Sequence, residues 1–540
     1  MTTRNIVLST LAATTSLALT LAISQAAVAS PRDASPAHRS ATSQAQTASY
    51  IVQAQSLAMA RTSVQQAGGT ITHELGIIDA VGAQLTPAQT MVLRTNHTLA
   101  LSADASTTVA GVSPSYAVRQ TMANALHAAG ITGKGVSIAF VDTGLWATPL
   151  AGYDAIRNVA STSIADDNGH GTHVTSIAAS ANLTADGTYL GIAPGASWVA
   201  VKAFGADGRG TYANTIRGLD WILANRTKHN IRVVNMSFGA TPQSFYWNDP
   251  LAKAVMKLWQ AGIVVVASAG NWGPNAQSIT VPGNVPYVIT VGAMTDNYTP
   301  ANAADDRLAS FSSTGPTYEG FVKPEIVAPG GHVTGVMTKR QTIPRAHPSF
   351  HDGSNYFTMS GTSQSAAVVS GVVALMLQAQ PSLTPNQVKC KLMSSASAAV
   401  DGSGKLAYSV FQQGAGQVNA YAAVFNPYTS CGNVGLDIAA DLAGTKHFGG
   451  PAHQKADGTF YVVDAAGQPI NQQGYLWNNG YLWDQGYLWM NGYLWSNGYL
   501  WNNGYLWNNG YLWNNGYIWN QNFVPSTASV SGVNHWVEQE

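Results

Sequence analysis

Gly135-Val136-Ser137-Ile138-Ala139-Phe140-Val141-Asp142-Thr143-Gly144 is the stretch on which the fold of this 540-residue chain turns. Its apolar, β-rich run does not alternate with polar residues, which predicts a strand covered on both faces, as in parallel sheets. It ends on a carboxylate, so Asp142 falls at the carboxyl end of a strand, where ligands and chemistry gather in open α/β sheets. Comparable runs occupy residues 197–204, 231–237 and 263–268, and helical patterns at 212–224 and 251–261 separate the later ones. The alternation predicts an α/β domain over residues 111–426, with a mainly parallel sheet and helices on both faces.

Further along, Gly361-Thr362-Ser363 opens an apolar run reaching Leu377, long enough for a buried helix. A serine in the first turn has its hydroxyl near unpaired backbone N–H groups, which suits an acyl-transfer nucleophile, although an ordinary capping serine would sit there too. Asn168-Gly169-His170-Gly171-Thr172-His173-Val174 places an imidazole at the head of another small-residue helix. His170 and His173 are three apart, yet no Glu or Cys at metal-ligand spacing joins them, which speaks against zinc. Asp142, His170 and Ser363 together supply a carboxylate to orient an imidazole, a base to take a hydroxyl proton, and a nucleophile. Ala269-Gly270-Asn271, after the run at 263–268, would deliver a side-chain amide to the same sheet edge for an oxyanion.

These segments, in this order, resemble the subtilisin-like serine proteases, the subtilases, over residues 111–426. The likeness rests on Val141-Asp142-Thr143-Gly144, His170-Gly171-Thr172-His173-Val174, Asn235-Met236-Ser237-Phe238-Gly239, Ser268-Ala269-Gly270-Asn271 and Gly361-Thr362-Ser363. It implies that Asp142, His170 and Ser363 form the triad and that Asn271 with the Ser363 N–H binds the oxyanion. His173 is then a buried helix residue. Gly205-Ala206-Asp207-Gly208-Arg209-Gly210 and Ser237-Phe238-Gly239 resemble the two segments that clasp an extended peptide by strand addition. Thr280-Val281-Pro282-Gly283 resembles the base of the specificity pocket and carries no carboxylate, which implies broad or apolar preference. Residues 48–106, with strand, helix and turn patterns around Tyr50-Ile51-Val52, Gly68-Gly69 and Leu85-Thr86-Pro87, resemble the family's inhibitor-type propeptide. Thr86 and Pro87 mark a helix cap and first helical position. Between this module and the main domain, residues 105–111 form a small-residue stretch that reads as a loop. The chain departs from the family where Gln364-Ser365-Ala366-Ala367 replaces the usual Met-Ala-Ser/Thr-Pro after the nucleophile. The chemistry needs no cofactor. The family's carboxylate for a strong calcium site is missing at Leu150-Ala151-Gly152, and Asp186 in the loop 183–189 does not replace it, so structural calcium is left without support.

Composition sets the compartment. Lys+Arg and Asp+Glu are both 26, so no overall field attracts nucleic acid or an anionic membrane. Residues 1–29 have the pattern of a secretory signal: Arg4, an apolar stretch, then Ala27-Val28-Ala29. A spacer covers 30–47, and no later segment reads as a membrane span. In an exported chain the two cysteines, Cys390 and Cys431, are expected to pair. Residues 427–473 read as a linker, 474–521 as eight copies of a Gly-Tyr-Leu-Trp hexapeptide (Ile for Leu in the last), and 522–540 as a tail. In an extended chain the period of six keeps Tyr and Trp on one face and Leu on the other. Such stripes suit contact with a cell surface or polysaccharide, so a surface-binding protein with an accessory protease domain is the rival reading. A second Asp-Thr-Gly for aspartic protease chemistry and the Gly-x-Ser-x-Gly of a lipase elbow are both missing.

Overall fold

The computed structural model describes residues 47–104, 106–109, 117–145, 147–184, 187–299, 302–402, 404–463, 468–470 and 536–537. The signal, the array and most of the spacer and tail lie outside these residues, as does Asp186.

The first module is a four-stranded antiparallel sheet in the order β2-β3-β1-β4, from β1 (Ala48–Gln53), β2 (Thr70–Leu75), β3 (Ala80–Leu85) and β4 (Ala100–Ala103). Helices Leu57–Gln66 and Pro87–Arg94 accompany it. The second starts as its sequence suggests, with Thr86 and Gln89 forming a reciprocal cap and Pro87 at the first position. The module docks on the main domain. His73 Nε2 meets Asn214 Oδ1 at 2.7 Å, Lys253 Nζ donates to Gln53 Oε1 at 3.0 Å, and Asp104 Oδ1 accepts from Ala213 N at 2.9 Å. Ile51, Leu75, Ile77 and Ile78 are buried in the large core of the main domain.

The loop expected over residues 105–111 is corrected in part. Within it Ser106–Val109 is a strand, β5, bonded between two segments of the next domain.

That domain is built on a nine-stranded sheet. Its strands are β6 (Ser137–Asp142), β7 (Ala151–Asp154), β8 (Val159–Ala160), β9 (Ser197–Lys202), β11 (Ile231–Met236), β13 (Val264–Ser268), β14 (Ile289–Thr295), β15 (Arg307–Leu308) and β16 (Ile326–Pro329). Two short strands outside it, β10 (Arg209–Thr211) and β12 (Phe238–Gly239), hold β5. All pairs in the sheet are parallel except β7 with β8 and β14 with β15. β6 lies between β9 and β11 and all six of its residues are buried, which explains its unbroken apolar run. Helices His170–Ala179 and Thr362–Ala379 pack together on the sheet, and Tyr212–Asn225 packs with Pro250–Gln260. Of Leu150-Ala151-Gly152, where the calcium carboxylate is missing, Ala151 and Gly152 open strand β7.

Thr362–Ala379 is long and apolar enough to cross a membrane, but most of it is buried inside the protein. It is the core helix of the domain.

The expected linker is corrected by the structure. Past Asn426, Cys431 is bonded to Cys390, with Cα atoms 5.0 Å apart. Asp441 accepts from Tyr246 Oη at 2.6 Å and Tyr287 Oη at 2.9 Å, and Phe448 is buried in the main core. Strands Ala452–Gln454, Phe460–Val463 and Pro469–Ile470 add a small antiparallel sheet. The compact unit thus runs well beyond residue 426, because its own tyrosines need a partner that lies beyond that point.

Candidate active site

Asp142 ends β6 and His170 begins its helix. His170 Nδ1 stands 2.9 and 3.0 Å from the two Asp142 oxygens, with both side chains fully buried. The contact runs through Nδ1 to both carboxylate oxygens, which fixes the orientation of the imidazole. Asp142 is fixed in turn by Thr143 N at 2.7 Å. A carboxylate not singled out in the sequence secures this corner. Asp166 accepts from Thr143 Oγ1, Asn168 N and Gly169 N on one oxygen, and from Thr172 N and Oγ1 on the other. It thereby caps the His170 helix and ties it to the strand end bearing Asp142; its position in Ala165-Asp166-Asp167-Asn168, four residues before the histidine, was the available signal. Lys202, at the end of β9, donates to Thr143 O, Ala165 O and Asp167, binding the same two loops.

Ser363 lies in the first turn of the core helix, where its N–H has no carbonyl four residues back. Its Oγ donates to Ser237 O at 3.0 Å, while Ser237 Oγ donates to Ser363 O at 2.8 Å. Asn235, two residues earlier on β11, accepts from Ser370 at 2.9 Å and so anchors the same helix to that strand. His173 is bonded on both ring nitrogens: Nε2 to Phe357 O at 3.1 Å and Nδ1 to Gln364 Nε2 at 3.2 Å. Burial, above all, pushes its pKa down to about 3, so it is a neutral strut between the two site helices. Gln364, the departure from the family pattern, is therefore the partner of a histidine.

Asn271 follows β13. Its Oδ1 accepts from Thr362 N at 3.0 Å and Thr362 Oγ1 at 2.8 Å, which turns its Nδ2 the other way. That amide nitrogen is buried and has no acceptor among the described residues. A buried donor without a partner is costly, and here it belongs to the residue next to the nucleophile segment.

The clasping segments hold β5 in antiparallel register, with Gly210 opposite Thr107, Phe238 opposite Val109 and Gly239 opposite Thr108. Gly205 and Gly208 do not pair with it; they make the turn before β10, Gly208 with φ of 72°. The strand runs toward Phe238, hence toward Ser237, whose carbonyl holds the Ser363 hydroxyl. Thr280 lies against Gly239 and Gly270: a Cβ on Gly239 would fall 2.3 Å from Thr280 Oγ1. Gly283 O accepts from Thr290 Oγ1 at 2.6 Å. Behind Thr290, Glu325 is paired with Lys323 at 2.7 Å and Lys389 at 2.8 Å, so this carboxylate is already matched. Among the described residues no group of three or more His, Cys, Asp or Glu side chains is arranged to hold a metal ion.

A mainly parallel α/β sheet with a buried Asp–His pair, a helix-borne serine and an adjacent amide defines a subtilisin-like serine endopeptidase site. The family model of the subtilases matches residues 133–417, and the chain belongs to that family. Among its relatives, serine protease AprX of Bacillus subtilis is 42% identical over 269 residues, covering 48% of this chain and 60% of the relative. M-protease of Shouchella clausii is 32% identical over 331 residues, covering 60% of this chain and 76% of that one. Fervidolysin from Fervidobacterium pennivorans, a keratinolytic enzyme related to subtilisin, shares the fold with a TM-score of 0.58 at 22% identity, over 72% of this chain and 63% of the other.

Proposed function

We propose that this chain is an exported serine endopeptidase of broad or apolar specificity, made as a zymogen that processes itself. The observation that carries the reading is the buried Asp142–His170 pair with the Asn271 amide nitrogen left unpartnered beside Thr362 and Ser363. In the reaction the Ser363 hydroxyl leaves Ser237 O and gives its proton to His170 Nε2 as Oγ attacks the carbonyl carbon of the substrate. Asp142 keeps the imidazole in the required tautomer and offsets the charge it gains. The carbonyl oxygen becomes an oxyanion that accepts from Asn271 Nδ2 and Ser363 N, donors fixed before the charge forms. His170 then protonates the leaving amine, and water resolves the acyl-enzyme by the same route. No cofactor takes part.

Strand β5 supports the zymogen reading, since it fills the peptide-binding position with residues that join the first module to the catalytic domain. The module is then the intramolecular inhibitor, and cleavage just past β5 releases it. Protein or peptide substrates would bind in the same strand geometry. The test is to treat the secreted protein with a fluorophosphonate and map the adduct, alongside a Ser363→Ala chain. Labelling of Ser363, with accumulation of the unprocessed mutant, is expected. Labelling elsewhere, or a mutant with the wild-type mature N-terminus in a protease-free host, would overturn it.

A further inference from the structure

Trp536 and Val537, beyond the hexapeptide array, are seated on the catalytic domain. Trp536 packs against the apolar cluster of Met337, Ile343, Phe357 and Met359; its ring meets those of Phe350 and Phe357 and stacks on His347, with centroids 3.5 Å apart and planes 7° from parallel. Val537 is buried among Ala293, Ala309 and Phe311. These two patches border the nucleophile segment. Met359 leads directly into Ser360-Gly361-Thr362-Ser363, at the end of the hairpin formed by β17 (Val333–Val336) and β18 (Tyr356–Met359). Phe311 O accepts from Gly273 N at 2.9 Å, two residues past the oxyanion Asn271. Ala293 lies against Gly330, whose carbonyl accepts from Gly361 N at 2.8 Å. Two consecutive residues thus reach from the hairpin before Ser363 to the loop after Asn271.

The acyl side of the cleft is taken by β5, which approaches Ser363 through Phe238 and Ser237. The patches under Trp536 and Val537 belong to none of those clasping segments. We propose that Trp536–Val537 is an intramolecular ligand of the leaving-group side of the cleft, its indole filling a site for an apolar aromatic side chain. It competes there with substrate residues beyond the cut; the inference rests on the peptidase reading above. A tethered ligand acts at an effective concentration on the order of millimolar, enough to compete even when its intrinsic affinity is weak.

The experiment compares the processed full chain with Trp536→Ala and with a chain lacking residues 536–540. One substrate is a peptide anilide with nothing beyond the cut but the dye; the other is an internally quenched peptide with four residues there. Both variants should raise kcat/KM on the quenched peptide about three- to tenfold, through KM, and leave the anilide unchanged. Hydrogen exchange of Val333–Val336 and Tyr356–Met359 is followed in the Ser363→Ala background, where Trp536→Ala should remove protection. Equal quenched-peptide rates would overturn the competition, and unchanged exchange would overturn the docking. Lost protection without cleavage of either substrate by any form would support the docking and overturn the peptidase reading instead.

Discussion

At Asn271 one end of a side-chain amide is bonded twice to Thr362 and the other has no protein acceptor among the described residues. On the mechanism proposed above, that nitrogen serves a group that forms only during reaction, so the residue would act on kcat and not on KM. Asn271→Ala should lower kcat by about 10²–10³, the scale established for the equivalent asparagine of subtilisin, a relative of this chain. Steady-state rates on a peptide anilide check it; a fall of less than tenfold would remove Asn271 from the chemistry. Glu319 is a second residue with an uneven environment. Its Oε1 accepts from Tyr246 N at 2.8 Å, while Oε2 is buried with no hydrogen-bond partner among the described residues. Burial pushes its pKa up to about 7 from an ordinary 4.5. The folded state therefore keeps a proton that the unfolded chain releases, and the stabilisation is complete below pH 4.5 and lost as pH rises to about 7. Glu319→Gln should remove that dependence, leaving the mutant more stable than wild type at pH 8 by up to about 3 kcal/mol. Thermal melts of both proteins at pH 5 and pH 8 decide it, and parallel shifts would show the carboxyl to be ionised throughout.

Among the elements, the two site helices illustrate which side chains a pattern reveals. His170 and Ser363 begin their helices as their flanking motifs suggest, but the contact between the helices runs through His173 and Gln364, a pair 191 positions apart. Nothing in either local sequence announces it, because a long-range hydrogen bond depends on where the sheet carries both helices. The same holds for Asp166, whose five bonds depend on the β6 end arriving beside the His170 helix. The strand pairing of Gly210 and Gly239 was more legible, since glycine leaves backbone open for it. Gly239 both pairs with β5 and faces Thr280. Gly239→Val should therefore push Thr280 into the pocket and cut kcat/KM for substrates with Phe or Leu before the cut by tenfold or more, about 1.4 kcal/mol. Substrates with Ala there should suffer less. An equal loss for all three would mean that the change acts through the fold and not the pocket.

For the molecule as a whole, the catalytic unit is longer than its motifs. The Cys390–Cys431 bond closes a loop of 41 residues and pins the segment that carries Asp441 back onto Tyr246 and Tyr287. Replacing both cysteines by serine should cost about 4 kcal/mol on the loop-entropy scale, visible as a lower denaturation midpoint with little change in kcat at 25 °C. An unchanged midpoint would show that the tyrosine contacts alone hold the segment. By itself the sequence determined the α/β class, the order of the subtilase motifs and the small module in front, because these are written in short-range terms: unbroken apolar runs, helix caps, and side chains at strand and helix ends. Only the tertiary structure decided that 427–463 belongs to the core, that 106–109 is a strand in the cleft, and that Trp536 returns to the nucleophile hairpin. Those choices turn on which distant surfaces a polar or apolar segment meets, and a buried carboxylate or indole is stable only once the complete fold brings its partners to it.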